Sequence, residues 1–280
     1  MIEWTVGPEI FQIGSFALRW YSLMFMLSFL LGYYLMRKMY IQENKPEKDV
    51  DAIFLFVFAG TIFGARVGHC LFYDPAYYLS NPLEIFQVWQ GGLASHGAAI
   101  GILTAIYFYA RSRPYQTFLW TVDRVVIVVA LAGFFIRVGN LFNSEIVGAP
   151  TDVAWAFLFP RYENNPVPRH PTQIYEAAAY LLIFIGLYKI YQQKKAKTEQ
   201  GLLFGLFLIG IFGFRFFVEF LKEVQVSWES TLPLHIGQFL SIPFVLVGIW
   251  LVINSKKLGA PPLSPPPKRP KGVNAARSRG

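Results

Sequence analysis

Between Leu202 and Leu221 the chain reads LLFGLFLIGIFGFRFFVEFL, twenty residues interrupted by one arginine and one glutamate. That length matches the ~20 apolar residues needed to cross a bilayer. Lipid offers no water to backbone N–H and C=O groups, so such a stretch must fold as a helix. Six more stretches obey the same logic: Phe16–Met36, Ala52–Tyr73, Leu93–Ala110, Thr121–Val138, Gln173–Tyr191 and Ile236–Ile253. The expected fold is therefore an all-α membrane protein with seven transmembrane helices. Composition agrees, since only 15% of residues are charged, against about 25% in soluble domains. The opening MIEWTVGPEI is acidic and has no small-residue cleavage site, so the first apolar stretch is expected to stay in the mature chain.

Lysine and arginine set the orientation. Seventeen of the 25 fall in alternate loops and the tail: Arg37 to Lys48, Arg111 and Arg113, Lys189 to Lys197, and Lys256 to Arg279. The opposite side holds four, Arg19, Arg161, Arg169 and Lys222. The N-terminus is expected outside and the C-terminus in the cytoplasm, as an odd number of spans also requires. A net charge of +8 could suggest nucleic acid, but cations confined to one membrane face have no such partner. Cys70 is the only cysteine, which excludes an internal disulfide and a cysteine-based zinc cluster. In an apolar helix it reads as packing.

The pattern divides the chain into a seven-helix transmembrane domain, residues 1–255, and a basic, proline-rich, disordered cytoplasmic tail, residues 256–280. Residues 1–15 and 74–92, the latter with Tyr77, Tyr78, Phe86 and Trp89, are expected as outer interfacial arms. Residues 140–172 are expected to form a small outer cap.

Four arginines, Arg66, Arg124, Arg137 and Arg215, lie within the spans. Each costs about 2.5–3.5 kcal/mol at a helix centre and needs a partner or a wet cavity. Arg124, near the inner end beside Asp123, reads as a snorkelling structural residue. Arg66, Arg137 and Arg215 lie toward the outer side. Arg215 and Glu219 share one helix face. They form either an intrahelical ion pair or the wall of a polar cavity in which the arginine is free for phosphate. Asn140, Asn143 and Glu145 add polar groups near Arg137. His96 follows Gly91 and Gly92 at the start of its span and is either a structural histidine or a group near a ligand. Tyr21 joins the same layer or an aromatic belt. An anion at headgroup depth would account for several arginines converging there.

The segments LRWYSLMF, GARVGHCLFY, GGLASHG, RVGNLFNSE, RHPTQIYE and RFFVEFLKE with GQFLS, in this order and spacing, resemble the prolipoprotein diacylglyceryl transferase family. The resemblance covers most of residues 8–245. It implies transfer of the diacylglyceryl group of phosphatidylglycerol to the lipobox cysteine of a preprolipoprotein in the bacterial inner membrane. Glycerol 1-phosphate would leave, and no cofactor or metal would be needed. It further implies that Arg137 and Arg215 hold the lipid phosphate and that Glu219, Asn140, Glu145 and Tyr21 line the site. His96 would lie near the reacting groups, with Arg66 and Gln238 as further binding residues. The chain departs from the family pattern at KEVQVSWES, where an Arg-x-Pro-Asp-like stretch is usual, and at Gly97-Ala98.

The residue types suit that chemistry. Ionising a cysteine of pKa ≈ 8.5 at pH 7 costs roughly 2 kcal/mol, which a nearby base offsets; His96 is the first candidate and Glu219 the second. Arginines can stabilise the charge gathering on the departing phosphate. A transporter would need polar residues through the bilayer centre and inner half, whereas these gather outside. A metal-dependent phosphatidyltransferase would need spaced aspartates that the chain lacks near Gly64-Ala65-Arg66.

Overall fold

The computed structural model describes residues 1–14, 16–223 and 234–261. Eight α-helices occur among them: α1 Trp20–Gln42, α2 Lys48–Phe72, the short α3 Pro75–Ser80, α4 Ser95–Arg111, α5 Phe118–Asn143, α6 Thr172–Lys194, α7 Leu202–Val218 and α8 Ile236–Leu258. A helix thus stands at each apolar stretch. Five of them, α2, α5, α6, α7 and α8, are long and apolar enough to cross a membrane. Between 22% and 44% of their apolar stretches is buried inside the protein, so most of that surface suits lipid rather than a protein core. Two helices fall short of the same measure. Polar Tyr, Ser and Trp residues dilute α1, and α4 has seventeen residues.

The protein is mostly helical, with one addition to the expected all-α architecture. Two small two-stranded sheets interrupt it. Strand β1 (Ile2–Glu3) pairs in parallel with β4 (Phe157–Leu158), and β2 (Glu9–Ile13) pairs antiparallel with β3 (Phe16–Arg19). The first apolar stretch therefore splits: Phe16–Arg19 is strand, and helix begins at Trp20. Helix α5 runs to Asn143 and α8 to Leu258, each beyond the end expected from sequence. Lys256 and Lys257, expected in the tail, are helical. Of the remaining tail, residues 262–280 lie outside the described residues, as does most of the KEVQVSWES segment.

The long helices alternate in direction, so the chain has two ends. At one, the base, α1, α4, α6 and α8 finish while α2, α5 and α7 begin. The base is closed by buried polar pairing. Glu43 accepts from Arg124 Nε at 2.9 Å, Arg124 Nη2 at 3.0 Å and Trp120 Nε1 at 2.8 Å. The Arg124 side chain is 0% exposed; it is locked by this carboxylate and does not snorkel. Asp123 caps α7 instead, accepting from Gly201 N and Phe204 N at 2.8 Å each. Tyr109 donates to Gln116, and Gln116 donates to Asp49, joining the α1–α2 and α4–α5 turns. Above this layer Met39, Tyr40, Ile53, Ile106, Ile127 and Leu203 form the main apolar core.

The other end, the head, carries the cap. Phe157, Phe159 and Val147 form its own apolar core with Trp4 against it, and Trp20 stacks on Phe142 at 4.8 Å. Helix α2 packs on α4 glycine to glycine. A Cβ added at Gly64 would lie 2.5 Å from Gly97 O, and one at Gly101 would lie 2.1 Å from Gly60 O. Small residues at this spacing let backbones approach where apolar area supplies no drive for association.

Candidate active site

The head end of α5 sets the site. Its last turns carry Arg137, Asn140 and Asn143 at the spacing that puts one side of a helix in register. The helix stops at Ser144, which adopts left-handed geometry at φ 54°. That turn returns Glu145 over the helix end. The Glu145 carboxylate accepts from Asn140 Nδ2 at 2.6 Å and Asn143 Nδ2 at 3.3 Å, and its carbonyl accepts from Gln173 at 2.8 Å. Tyr21, in the first turn of α1, packs its ring on Gly139 of the same helix.

Arg137 Nη1 donates to Asn140 Oδ1 at 3.3 Å, and its Nε lies 3.2 Å from Glu176 Oε2. Its guanidinium also sits over the Tyr180 ring at 5.9 Å. Glu176, a turn into α6, is 0% exposed. Its other oxygen faces Lys222 Nζ at 3.2 Å, and the same ammonium lies 3.5 Å from Glu219 Oε2. A chain of alternating charge therefore runs Arg137, Glu176, Lys222, Glu219 across α5, α6 and the segment after α7. Isolated charges at such burial would be prohibitively costly; alternation is what makes them tolerable.

Arg215 stands beside this chain but outside it. It forms no ion pair with Glu219, although the two occupy successive turns, and its buried Nε has no hydrogen-bond partner among the described residues. Its charge acts through space on His96 and Tyr180, which puts all three in one neighbourhood. The intrahelical pair expected as one reading of the sequence is not formed. His96, in the first turn of α4, is solvent-exposed. Arg137, Arg215, Tyr21, Asn140, Glu145, Glu219 and His96 thus gather at the head end.

Two expected site residues are engaged elsewhere. Arg66 is 2% exposed and donates to the carbonyls of Glu84, Ile85 and Gly91 at 2.7, 3.2 and 2.7 Å. Its guanidinium holds residues 75–92 against α2 and has no partner in the cluster. Gln238 accepts from His235 N at 2.9 Å and donates to Phe216 O at 3.0 Å. It joins the start of α8 to α7, and its neighbour Gly237 lies against the Glu219 carboxylate.

Glu176, Lys222 and Tyr180 were not singled out from sequence. Glu176 carried a signal, as a carboxylate inside an apolar helix has to be paired. Lys222 had been counted as one more outer cation; its position three residues after Glu219 was the missed clue.

The cap fixes Lys222. Gly148 and Lys222 form an antiparallel bridge, and Ala149 N donates to Leu221 O at 2.8 Å. A Cβ at Gly148 would stand 2.6 Å from His170 Cβ and 2.8 Å from Leu221 O, so this approach demands glycine. Arg169 braces the cap, pairing with Glu163 at 2.9 Å and Glu223 at 3.1 Å. The hydrogen bonds from Arg169 hold the Glu163 carboxyl down at about 2.

Comparison with known proteins gives one answer. A family model described as prolipoprotein diacylglyceryl transferase matches residues 8–254. A phosphatidylglycerol–prolipoprotein diacylglyceryl transferase of Chloroherpeton thalassium is 50% identical over 91% of this chain and 95% of its own. Proteins of the same name from Tolumonas auensis and Porphyromonas gingivalis are 46% and 44% identical, over 92% and 91% of this chain and 98% and 95% of theirs.

Proposed function

Because the chain belongs to the prolipoprotein diacylglyceryl transferase family and is a transferase, we propose that it moves the diacylglyceryl group of phosphatidylglycerol onto the lipobox cysteine thiol of a preprolipoprotein. Glycerol 1-phosphate leaves. The observation that carries this reading at the level of the site is Arg215, whose guanidinium has an unpartnered buried Nε beside a carboxylate network that orients Arg137 and leaves an edge of it accessible. A phosphodiester is the acceptor such a pair of arginines suits.

The thiol sulfur attacks the glyceryl carbon that carries the phosphate ester. The carbon–oxygen bond breaks, its electron pair stays on the phosphate oxygen, and the thiol proton passes to a base. Charge on the phosphate rises from one to two in that step. Arg137 and Arg215 stabilise the increase most in a dehydrated site, and fixed donors of this kind lower a barrier because they need no reorganisation. Tyr21, Asn140 and Glu145 form the wall on the α1–α5 side. For the base, exposure favours His96, whereas the Glu219 carboxylate is already engaged by Lys222.

The seven long helices all cross the bilayer in this reading, with the N-terminus outside and the C-terminus in the cytoplasm. The base then faces the cytoplasm, where the lysines and arginines concentrate. The head lies at the outer face of the bacterial cytoplasmic membrane, with β2–β3 and residues 74–92 as arms at headgroup depth and residues 144–171 as the cap. Exposed Tyr77, Phe86 and Trp89 suit that depth.

The test uses the full chain in lipid nanodiscs with phosphatidylglycerol and a lipobox peptide. Thioether addition to the peptide and release of glycerol phosphate are followed by mass spectrometry. Arg137→Ala and Arg215→Ala should each abolish product without unfolding the protein. Absence of thioether product from the unaltered chain, or full turnover by Arg215→Ala, would refute the reading.

A further inference from the structure

Glu219 has two cations within reach along its own segment. Arg215 lies one turn before it and Lys222 three residues after it. The carboxylate goes to Lys222, at 3.5 Å, and Arg215 is left aside. We propose that Lys222 is a positioning residue: by holding the Glu219 and Glu176 carboxylates it keeps Arg215 free to receive the phosphate of an anionic lipid headgroup. This rests on the transfer reading above and adds to it the device by which the phosphate arginine stays available.

Two observations support the role. Among the described residues, Lys222 Nζ is the one group that touches both carboxylates, and its side chain is 5% exposed, so water does not take over its work. The backbone of Lys222 is pinned to the cap by the Gly148 bridge, which fixes where the ammonium stands.

Without Lys222, Glu219 would turn to Arg215, because residues four apart on a helix are natural partners. The arginine donors would then be occupied before lipid arrived. Lysine suits the task as a compact point charge able to serve two carboxylates; arginine could serve it too, with a wider fork.

The experiment measures binding of dihexanoyl phosphatidylglycerol to the full chain in detergent, together with KM and kcat for transfer to a lipobox peptide. Lys222→Gln should weaken binding about tenfold or more, the size expected for losing one charge-assisted hydrogen bond. KM should rise with it while kcat changes by less than about threefold, which marks a loss of binding shared by ground and transition states. Lys222→Arg should stay close to the unaltered chain. The double variant Lys222→Gln with Glu219→Gln should bind lipid nearly as well as the unaltered chain, because the competing carboxylate is gone. A lysine that only stabilised the fold would give no such recovery. The double variant also carries the test if the single one does not fold, since it removes the pair together. Unchanged binding by Lys222→Gln, or a double variant as weak as the single, overturns the proposal. An unaltered chain that binds the lipid but makes no thioether refutes the transfer reading instead, and the binding arms then decide the role of Lys222 separately.

Discussion

Arg137 on α5 reaches across to Glu176 on α6, Nε to Oε2, at 3.2 Å. The carboxylate is 0% exposed and the arginine 15%, so one partner is sealed in protein while the other keeps an accessible edge. That asymmetry fits a guanidinium oriented by one anion and offered to another. Arg137→Lys should keep the fold, since an ammonium can still face Glu176. It should lose about 10²–10³ in kcat, the cost of removing a fixed donor from developing charge. Turnover of the lysine variant, compared with its melting temperature, checks this.

His96 and Glu219 compete for the role of base. If His96 accepts the thiol proton, His96→Gln should lower kcat by about 10²–10⁴ and remove the acidic limb of the pH–rate profile. A profile that keeps its shape in His96→Gln would move the role to Glu219.

Gly148→Ala should damage the site without touching substrate. The new methyl would need the space of His170 Cβ and Leu221 O, an overpacking cost of about 1–3 kcal/mol. The strand-like contact that aims Lys222 would be displaced. The expected result is a lower melting temperature together with weaker phosphatidylglycerol binding; an effect on melting alone would separate the cap from the charge network.

The cap should also tolerate acid. Arg169 holds the Glu163 carboxyl down at about 2, below its ordinary value of 4.5. The contribution of this pair to stability is therefore complete above about pH 4.5 and is lost as pH falls through about 2. Hydrogen exchange in residues 157–169 should change little from pH 7 to pH 5 in the unaltered chain. Glu163→Gln should exchange faster across that range, and equal protection in both would show that the pair does not brace the cap.

The helices were legible because apolar runs of fixed length leave the backbone no alternative, and the five that meet the spanning measure all lie on stretches read from sequence. Their ends were less legible. The Phe16–Arg19 stretch is as apolar as the helix that follows, and only pairing with β2 makes it a strand. The residues Arg137, Asn140 and Glu145 were found because polar groups in apolar surroundings stand out one at a time. What could not be read was who pairs with whom. Arg215 has Glu219 at helical spacing, yet the partner of Glu219 is decided by Lys222, whose position depends on a cap contact far away in sequence. Arg66 shows the converse: a buried arginine does not require a buried anion when a loop presents three carbonyls to it.

Helix α2, the segment that Arg66 clamps and helix α4 pack as one layer, because the glycine seam between Gly60–Gly68 and Gly97–Gly101 brings the two backbones into contact. His96 rides on that layer, while Arg137, Glu176 and Lys222 lie outside it. That layer joins the rest of the molecule by hydrogen bonds at the base, through Asp49, Gln116 and Tyr109, and by apolar packing of Phe54 and Phe58 on Phe29. The position of the imidazole relative to Arg137 is therefore set by packing between whole helices, through Ile53, Ile106 and the Phe29–Phe58 contact, rather than by a local loop.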